Sequence, residues 1–276
     1  MFSKGDGLPL IPKHLLIIGV KDNWKVLEHL KQQKPEEVQI HVYAEEKWIQ
    51  RLFPEFRFFA PTLRSSSDEY ANDLFTYCAI NNIGWIIPMN KQESQLLNRY
   101  QENAKKYNLS IIPSYDAEKS PQKGFFSVQS IDFFYDFDSI RVQGEQEKMG
   151  LIDAYVDYRS GELICCFVRQ EFERYGEKVL SYQVLSSPPI KEAIKEIVHL
   201  FQIRGPISLV YMRKSDGTYT FTELNGFVKD SNREAILSDY DFIQYLWNNI
   251  QGMVLLRERR EKVDYLYQLS EDYSLF

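Results

Sequence analysis

Glu223 and Asn225 stand two residues apart at the end of a β-prone run, TYTFTELNG (218–226). Alternate residues of a strand share a face, so this carboxylate and amide would project side by side. Such a pair suits Mg2+ held against phosphate oxygens. Magnesium takes one or two protein carboxylates and leaves the rest of its shell to phosphate and water. The competing reading is a polar strand end solvated at a loop. Arg169 and Arg174 offer a second kind of chemistry, because the guanidinium fork matches phosphate oxygens. They share their run with Glu171 and Glu173, which equally suits a solvated hairpin rim. Other site types find little support. Cys78, Cys165 and Cys166 form no disulfide framework or metal-ligand spacing, and read as small apolar residues of a reducing cytoplasm. His14, His29, His41 and His199 are scattered, and no Ser/His/Asp or Cys/His arrangement stands out.

The elements that would position these residues fall into two textures. The first alternates strand and helix signals. His14–Val20 is a continuous apolar run, Asp22 or Asn23 can cap an amphipathic Trp24–Gln33, and Val38–Tyr43 is a second strand before a short helix 45–52. Phe56–Ala60 is a third apolar run, and a Ser-rich loop precedes a helix from Glu69 to about Asn82. Gly84–Met89 is a fourth strand, a charged helix covers Lys91–Tyr107, and Leu109–Pro113 is a fifth strand. This alternation predicts a parallel, Rossmann-like sheet, because parallel neighbours need crossover helices. IIGVKDNW has a single glycine and is no GxGxxG fingerprint, so no NAD or FAD site is expected there.

From about Ser120 the texture is aromatic and β-prone. Phe125–Phe137 reads either as a core strand or as a binding platform, with Asp132, Asp136 and Asp138 interleaved against any polynucleotide. Leu151–Asp157, Glu162–Arg169 and Lys178–Val184 predict antiparallel strands, the first two turning at Arg159–Ser160–Gly161. Pro188 and Pro189 open a helix to Phe201, and Ile207–Arg213 with Thr218–Leu224 predict a hairpin across Asp216-Gly217. Phe242–Ile250 reads as a core helix, and Leu255–Leu269 as a charged, surface-lying helix.

Placed after that hairpin, T-E-L-N-G resembles the Glu-x-Asn metal motif of ATP-grasp ligases, including the carbamoyl-phosphate synthase and D-alanine ligase relatives. Ile152–Arg169 resembles the central strand pair of that superfamily, and Ile87-Pro88-Met89-Asn90 its strand-end proline before a helix. The resemblance covers most of residues 14–250. It implies an α/β chain with a Rossmann-like pre-ATP-grasp domain (1–118) and an abbreviated ATP-grasp-like α+β domain (119–276). It also implies Mg2+ at Glu223 and Asn225, and ATP phosphates near Arg169 and Arg174. The chain departs from the family where catalysis is concentrated. Only Ser120–Met149 separates the two regions, too short for a full lid, and that segment has no glycine-rich loop. The family's further metal ligand falls near Val210 or Tyr211, and Gly226-Phe227 replaces Pro-Arg after the motif. Losing several phosphate-positioning cations removes several kcal/mol of transition-state stabilisation. The expectation is therefore a degenerate ligase relative acting as a binding or regulatory module, with an active carboxylate–amine ligase as the alternative. ATP and Mg2+ remain possible ligands, and a protein partner or homodimer possible company.

Composition sets outer limits. The chain has 276 residues, is 44% hydrophobic, and carries 33 Lys+Arg against 39 Asp+Glu for a net charge of −6. That balance gives no general attraction to nucleic acid or anionic lipid. The run HLLIIGV is followed at once by Lys21 and Asp22, which reads as a buried strand and not as a signal peptide. With no long apolar segment, the expectation is a cytoplasmic protein without membrane or nucleic-acid partners.

Overall fold

A computed structural model describes residues 14–21, 23–44, 46–60, 68–115, 148–175, 178–185, 188–213, 219–225, 241–253, 255 and 265–268. Residues 120–147 of the segment expected in place of the lid, with the aromatic run Phe125–Phe137, lie outside them, as does the 214–218 turn.

The described residues form two sheets. Strands β1 (His14–Ile18), β2 (Gln39–Tyr43), β3 (Arg57–Phe59), β4 (Ile83–Pro88) and β5 (Ser110–Ile111) make the first, in the order β3-β2-β1-β4-β5. All its pairings are parallel. The crossovers carry helices α1 (Trp24–Gln32), α2 (Lys47–Leu52), α3 (Asp68–Ile80), α4 (Lys91–Arg99) and α5 (Gln101–Lys106). Leu15, Ile17 and Ile87 pack into one apolar cluster, while Leu16, Ile18 and Ile86 pack into another with Tyr70, Leu74 and Phe75 of α3. Burial on both faces explains why these strands read as unbroken apolar runs.

Antiparallel strands make the second sheet: β6 (Lys148–Val156), β7 (Leu163–Tyr175), β8 (Lys178–Leu185), β9 (Gly205–Arg213), β10 (Tyr219–Asn225) and β11 (Tyr265–Gln268). Their order is β10-β9-β6-β7-β8-β11. Helix α6 (Pro188–Leu200) covers one face, where Ile190, Ala193, Ile194 and Ile197 meet Ile152, Ala154, Ile207 and Leu209. Helix α7 (Phe242–Ile250) covers part of the other face. There Tyr155 packs between Phe242 and Tyr245, at ring distances of 5.7 and 5.3 Å. The same cluster takes in Leu15, Ile17 and Ile87 of the first sheet, and Trp85 meets Tyr158 edge-on at 4.9 Å. One continuous apolar core therefore joins the two sheets.

Three expectations are corrected. Residues 265–268 are a strand paired with β8, not part of a helix. The alternating Tyr-Leu-Tyr there suits an edge strand, and the charge run before it masks that period. The charged helix after β4 breaks at Tyr100 into α4 and α5. Asn23 precedes α1 but makes no side-chain cap; its amide instead donates to the Met89 carbonyl at 2.5 Å, tying the end of β1 to the end of β4.

Candidate functional site

The order β10-β9-β6-β7 brings the candidate residues onto one stretch of sheet. Asn225 pairs with Ser208, Ser208 with Asp153, and Asp153 with Phe167, so one row of residues crosses four strands. The neighbouring row runs Glu223, Val210, Leu151, Arg169 and Val184. Register thus puts Glu223 in the same row as Arg169, with β9 and β6 between their strands. Arg174 lies farther along β7, opposite Val179. The side chains of Glu223 and Arg174 fall outside what the structure describes.

The centre of this stretch is charged and closed to water. Arg169 is 2% exposed, Asp153 1%, Ser208 2% and Asn225 5%. The Arg169 guanidinium donates Nη2 to Asp153 Oδ2, and the Ser208 hydroxyl donates to Asp153 Oδ1. Phe167 lies 5.7 Å from the guanidinium carbon, adding a cation–π contact. A buried ion pair holds only when its geometry is good and its remaining polar atoms are satisfied. Here both Asp153 oxygens are engaged, one by charge and one by a hydroxyl. Arg169 is therefore not part of a solvated rim. Burial within a sheet, facing a carboxylate two strand positions away, is what its sequence neighbours Glu171 and Glu173 conceal.

Asn225 supplies an amide oxygen and Glu223 a carboxylate two residues away, while Val210, opposite Glu223, supplies nothing a hard cation would take. The residue types fit an oxygen-ligated Mg2+ shared with phosphates, with Glu223 as its carboxylate, since Asp153 already serves Arg169 and Ser208.

No family model and no curated protein sequence matches the chain. Solved structures do match. The multifunctional pyruvate carboxylase from Rhizobium etli superposes with a TM-score of 0.60 at 13% identity, over 87% of this chain and 27% of that one. The biotin carboxylase from Campylobacter jejuni, in a β,γ-ATP complex, gives 0.60 at 13% identity over 88% of this chain and 72% of that one. A third match is the biotin carboxylase domain dimer of Hydrogenobacter thermophilus 2-oxoglutarate carboxylase, with MgADP, ADP and bicarbonate. It gives 0.60 at 10% identity over 91% of this chain and 71% of that one. The chain has the ATP-grasp fold. It spans about a quarter of the Rhizobium etli pyruvate carboxylase. These matches in shape are carboxylase and biotin carboxylase structures; they support the ATP-grasp fold and give no support to a carbamoyl-phosphate-synthase-like family.

A second set of polar groups escaped the sequence reading. In the parallel sheet the strand order reverses between β1 and β4, and open α/β sheets bind ligands at the carboxyl ends of strands flanking such a reversal. Gly19 follows β1 at φ 71°, and a Cβ there would come within 2.3 Å of Asn90 Nδ2. Asn90 caps α4 by accepting from the Glu93 amide at 2.8 Å. Glu93 is 3% exposed, and the Tyr70 hydroxyl lies 3.0 Å from each of its carboxylate oxygens. Burial pushes this carboxyl up to about 7, partly opposed by the Tyr70 hydrogen bond. The signal available beforehand was the Asn-x-x-Glu spacing of Asn90 and Glu93, a helix-start pattern that says nothing of burial.

Proposed function

We propose that this chain is a degenerate ATP-grasp protein, related to carboxylate–amine or carbamoyl-phosphate ligases, that binds a nucleotide with Mg2+ and acts as a binding or regulatory module with weak or no turnover. Residues 1–118 form its Rossmann-like pre-ATP-grasp domain and residues 119–276 its abbreviated ATP-grasp-like domain. Glu223 and Asn225 hold the metal, and Arg174 meets the phosphates. Bound Mg2+ would neutralise phosphate charge. Arg169 is assigned to the same site, but its charge is balanced by Asp153.

That balance is the observation that carries the reading. A cation stabilises developing charge on a transferred phosphoryl group only when its charge is available there. Arg169 meets a carboxylate and an aromatic face inside the protein. Arg169 is 2% exposed and its charge already meets Asp153, so a phosphate there would either add a second anion to a balanced pair or displace Asp153. Displacement would leave that aspartate buried without its charge partner, at about 3–5 kcal/mol. Binding with little turnover follows. A partner protein or second copy could restore missing groups, and the Hydrogenobacter domain is itself a dimer. None of the described helices is long and apolar enough to cross a membrane.

The active-ligase reading draws support from folds solved with MgADP and bicarbonate. It entails an acyl phosphate made from a carboxylate and captured by an amine. Calorimetric titration of the full chain with ATP, with and without Mg2+, separates the readings. Magnesium-dependent binding that is lost in Glu223→Ala, with no product formed from ATP, is the expected result. Reproducible product from the lone chain would replace the module with the ligase. An absence of binding would remove both.

A further inference from the structure

A hollow of about 500 Å3 lies on the α6 side of the second sheet, away from the Glu223–Asn225 motif. The β6–β7 turn forms one wall through Ser160, Gly161 and Glu162, and the last turns of α6 form the other through Lys195 and His199. Arg204, just before β9, completes it. We propose that this hollow binds a small oxyanion, the carboxylate or phosphate group of a metabolite, with Arg204 as its main contact.

Charge comes first. Three basic side chains, Lys195, His199 and Arg204, line the hollow against one acid, Glu162. Lys195 is paired with Glu192 on its own helix. Arg204 forms no ion pair among the described residues. Its Nη1 donates to the Ile203 carbonyl at 2.8 Å. An arginine has five N–H donors, so most of the fork remains for a ligand.

Pre-organisation comes second. The backbone of Arg204 is bridged to Ser114 by two hydrogen bonds of 2.8 and 2.9 Å, fixing the base of the side chain. Gly161, at φ 75°, lies under the guanidinium; a Cβ there would sit 2.4 Å from Arg204 Cζ. Glycine thus admits the arginine to the turn. The turn is itself held by Asp157, which accepts from the Ser160 amide at 2.7 Å and from the Asn249 side chain at 2.6 Å. A wall that needs no ordering on binding loses less affinity to entropy. The carbonyl end of α6 disfavours an anion, but its carbonyls are occupied: His199 accepts from the Gln202 side chain at 2.7 Å, and Val198 accepts from the Ile203 amide at 3.0 Å.

The volume falls in the range of small-molecule sites. The test uses the full chain, with inorganic phosphate and malonate as separate probes, followed by calorimetry and amide NMR. Saturable binding that moves the Ser160, Gly161 and Glu162 amides is expected. Arg204→Gln should weaken it by about tenfold or more, Lys195→Gln less, and Glu162→Gln should strengthen it. Saturation by phosphate alone assigns phosphate groups, and saturation by malonate alone or by both assigns oxyanions including carboxylates. The absence of saturable shifts with either probe overturns the proposal, as does undiminished binding by folded Arg204→Gln. Should that variant not fold, unchanged binding in both Lys195→Gln and Glu162→Gln overturns it equally.

Discussion

The two sheets handle buried charge in opposite ways. In the parallel sheet the strands bury hydrocarbon on both faces, and the carboxyl group of Glu93 sits beyond the strand ends, at the start of α4. In the antiparallel sheet a full ion pair, Arg169 with Asp153, lies between the strands themselves. The parallel sheet spends its interior on stability. The antiparallel sheet puts formal charge where apolar residues would pack as well or better, which is a common mark of a surface shaped for something other than folding.

Removing one partner should produce the largest effect. Asp153→Ala leaves Arg169 buried without its counter-charge, and should lower unfolding free energy by about 3–5 kcal/mol in urea denaturation. The double variant Asp153→Leu with Arg169→Met should recover most of that loss. If the single variant loses under about 1 kcal/mol, the charge is not closed off and the contrast between the sheets fails.

The Glu93 carboxyl gives an effect of the next size, with a sign. Its folded value of about 7 lies above the ordinary 4.5, so the folded chain binds more protons between those values. Stability from this group is fully present below pH 4.5 and is lost as pH rises toward 7 and beyond. Glu93→Gln should therefore raise stability at pH 8 by about 1–3 kcal/mol and change it little at pH 4. Equal effects at both pH values would move the charge of this half away from the helix start. His41, fully buried and hydrogen-bonded to Tyr77 and His14, acts in the other direction. Burial, with the nearby charges of His14 and Arg57, brings it down to about 4, so its contribution is lost as pH falls from 6.5 toward 4.

Each half also has a glycine at positive φ, and these should give the smallest changes. Gly161→Ala meets only the movable end of Arg204, and should cost about 1 kcal/mol for the backbone. Gly19→Ala meets Asn90, whose side chain caps α4, and should cost more. Thermal melts of the two variants rank them. The reverse order would mean that the turn, not the end of β1, is the tighter junction.

The parallel half was largely legible because each strand is apolar by itself, whatever its neighbours. His14–Ile18, Gln39–Tyr43 and Ile83–Pro88 all fall within or beside runs visible in one pass. The hairpin β9–β10 was legible from its Asp-Gly turn. The Asp153–Arg169–Ser208 cluster was not, since it joins three strands whose order, β9-β6-β7, no local pattern encodes. Asp153 in particular reads as an ordinary polar position in IDAYV. Its role exists only once the register is known. Strand β11 was lost for a related reason, as its pairing with β8 is distant in the chain.

Between Phe221 and Glu223, β10 advances two residues while β9 advances one, from Tyr211 to Val210. Phe221 and Leu224 both reach the α6 core, although they are an odd number of residues apart. Regular alternation forbids that. The extra residue, Thr222, resets the parity of the strand, and so lets Leu224 turn to the core while Asn225 joins Ser208 on the other face. Deleting Thr222 would straighten β10 and leave both faces as they are. A regular strand that kept Thr222 would act like a frameshift without touching a codon: the motif would still spell Glu-Leu-Asn, with its two faces exchanged.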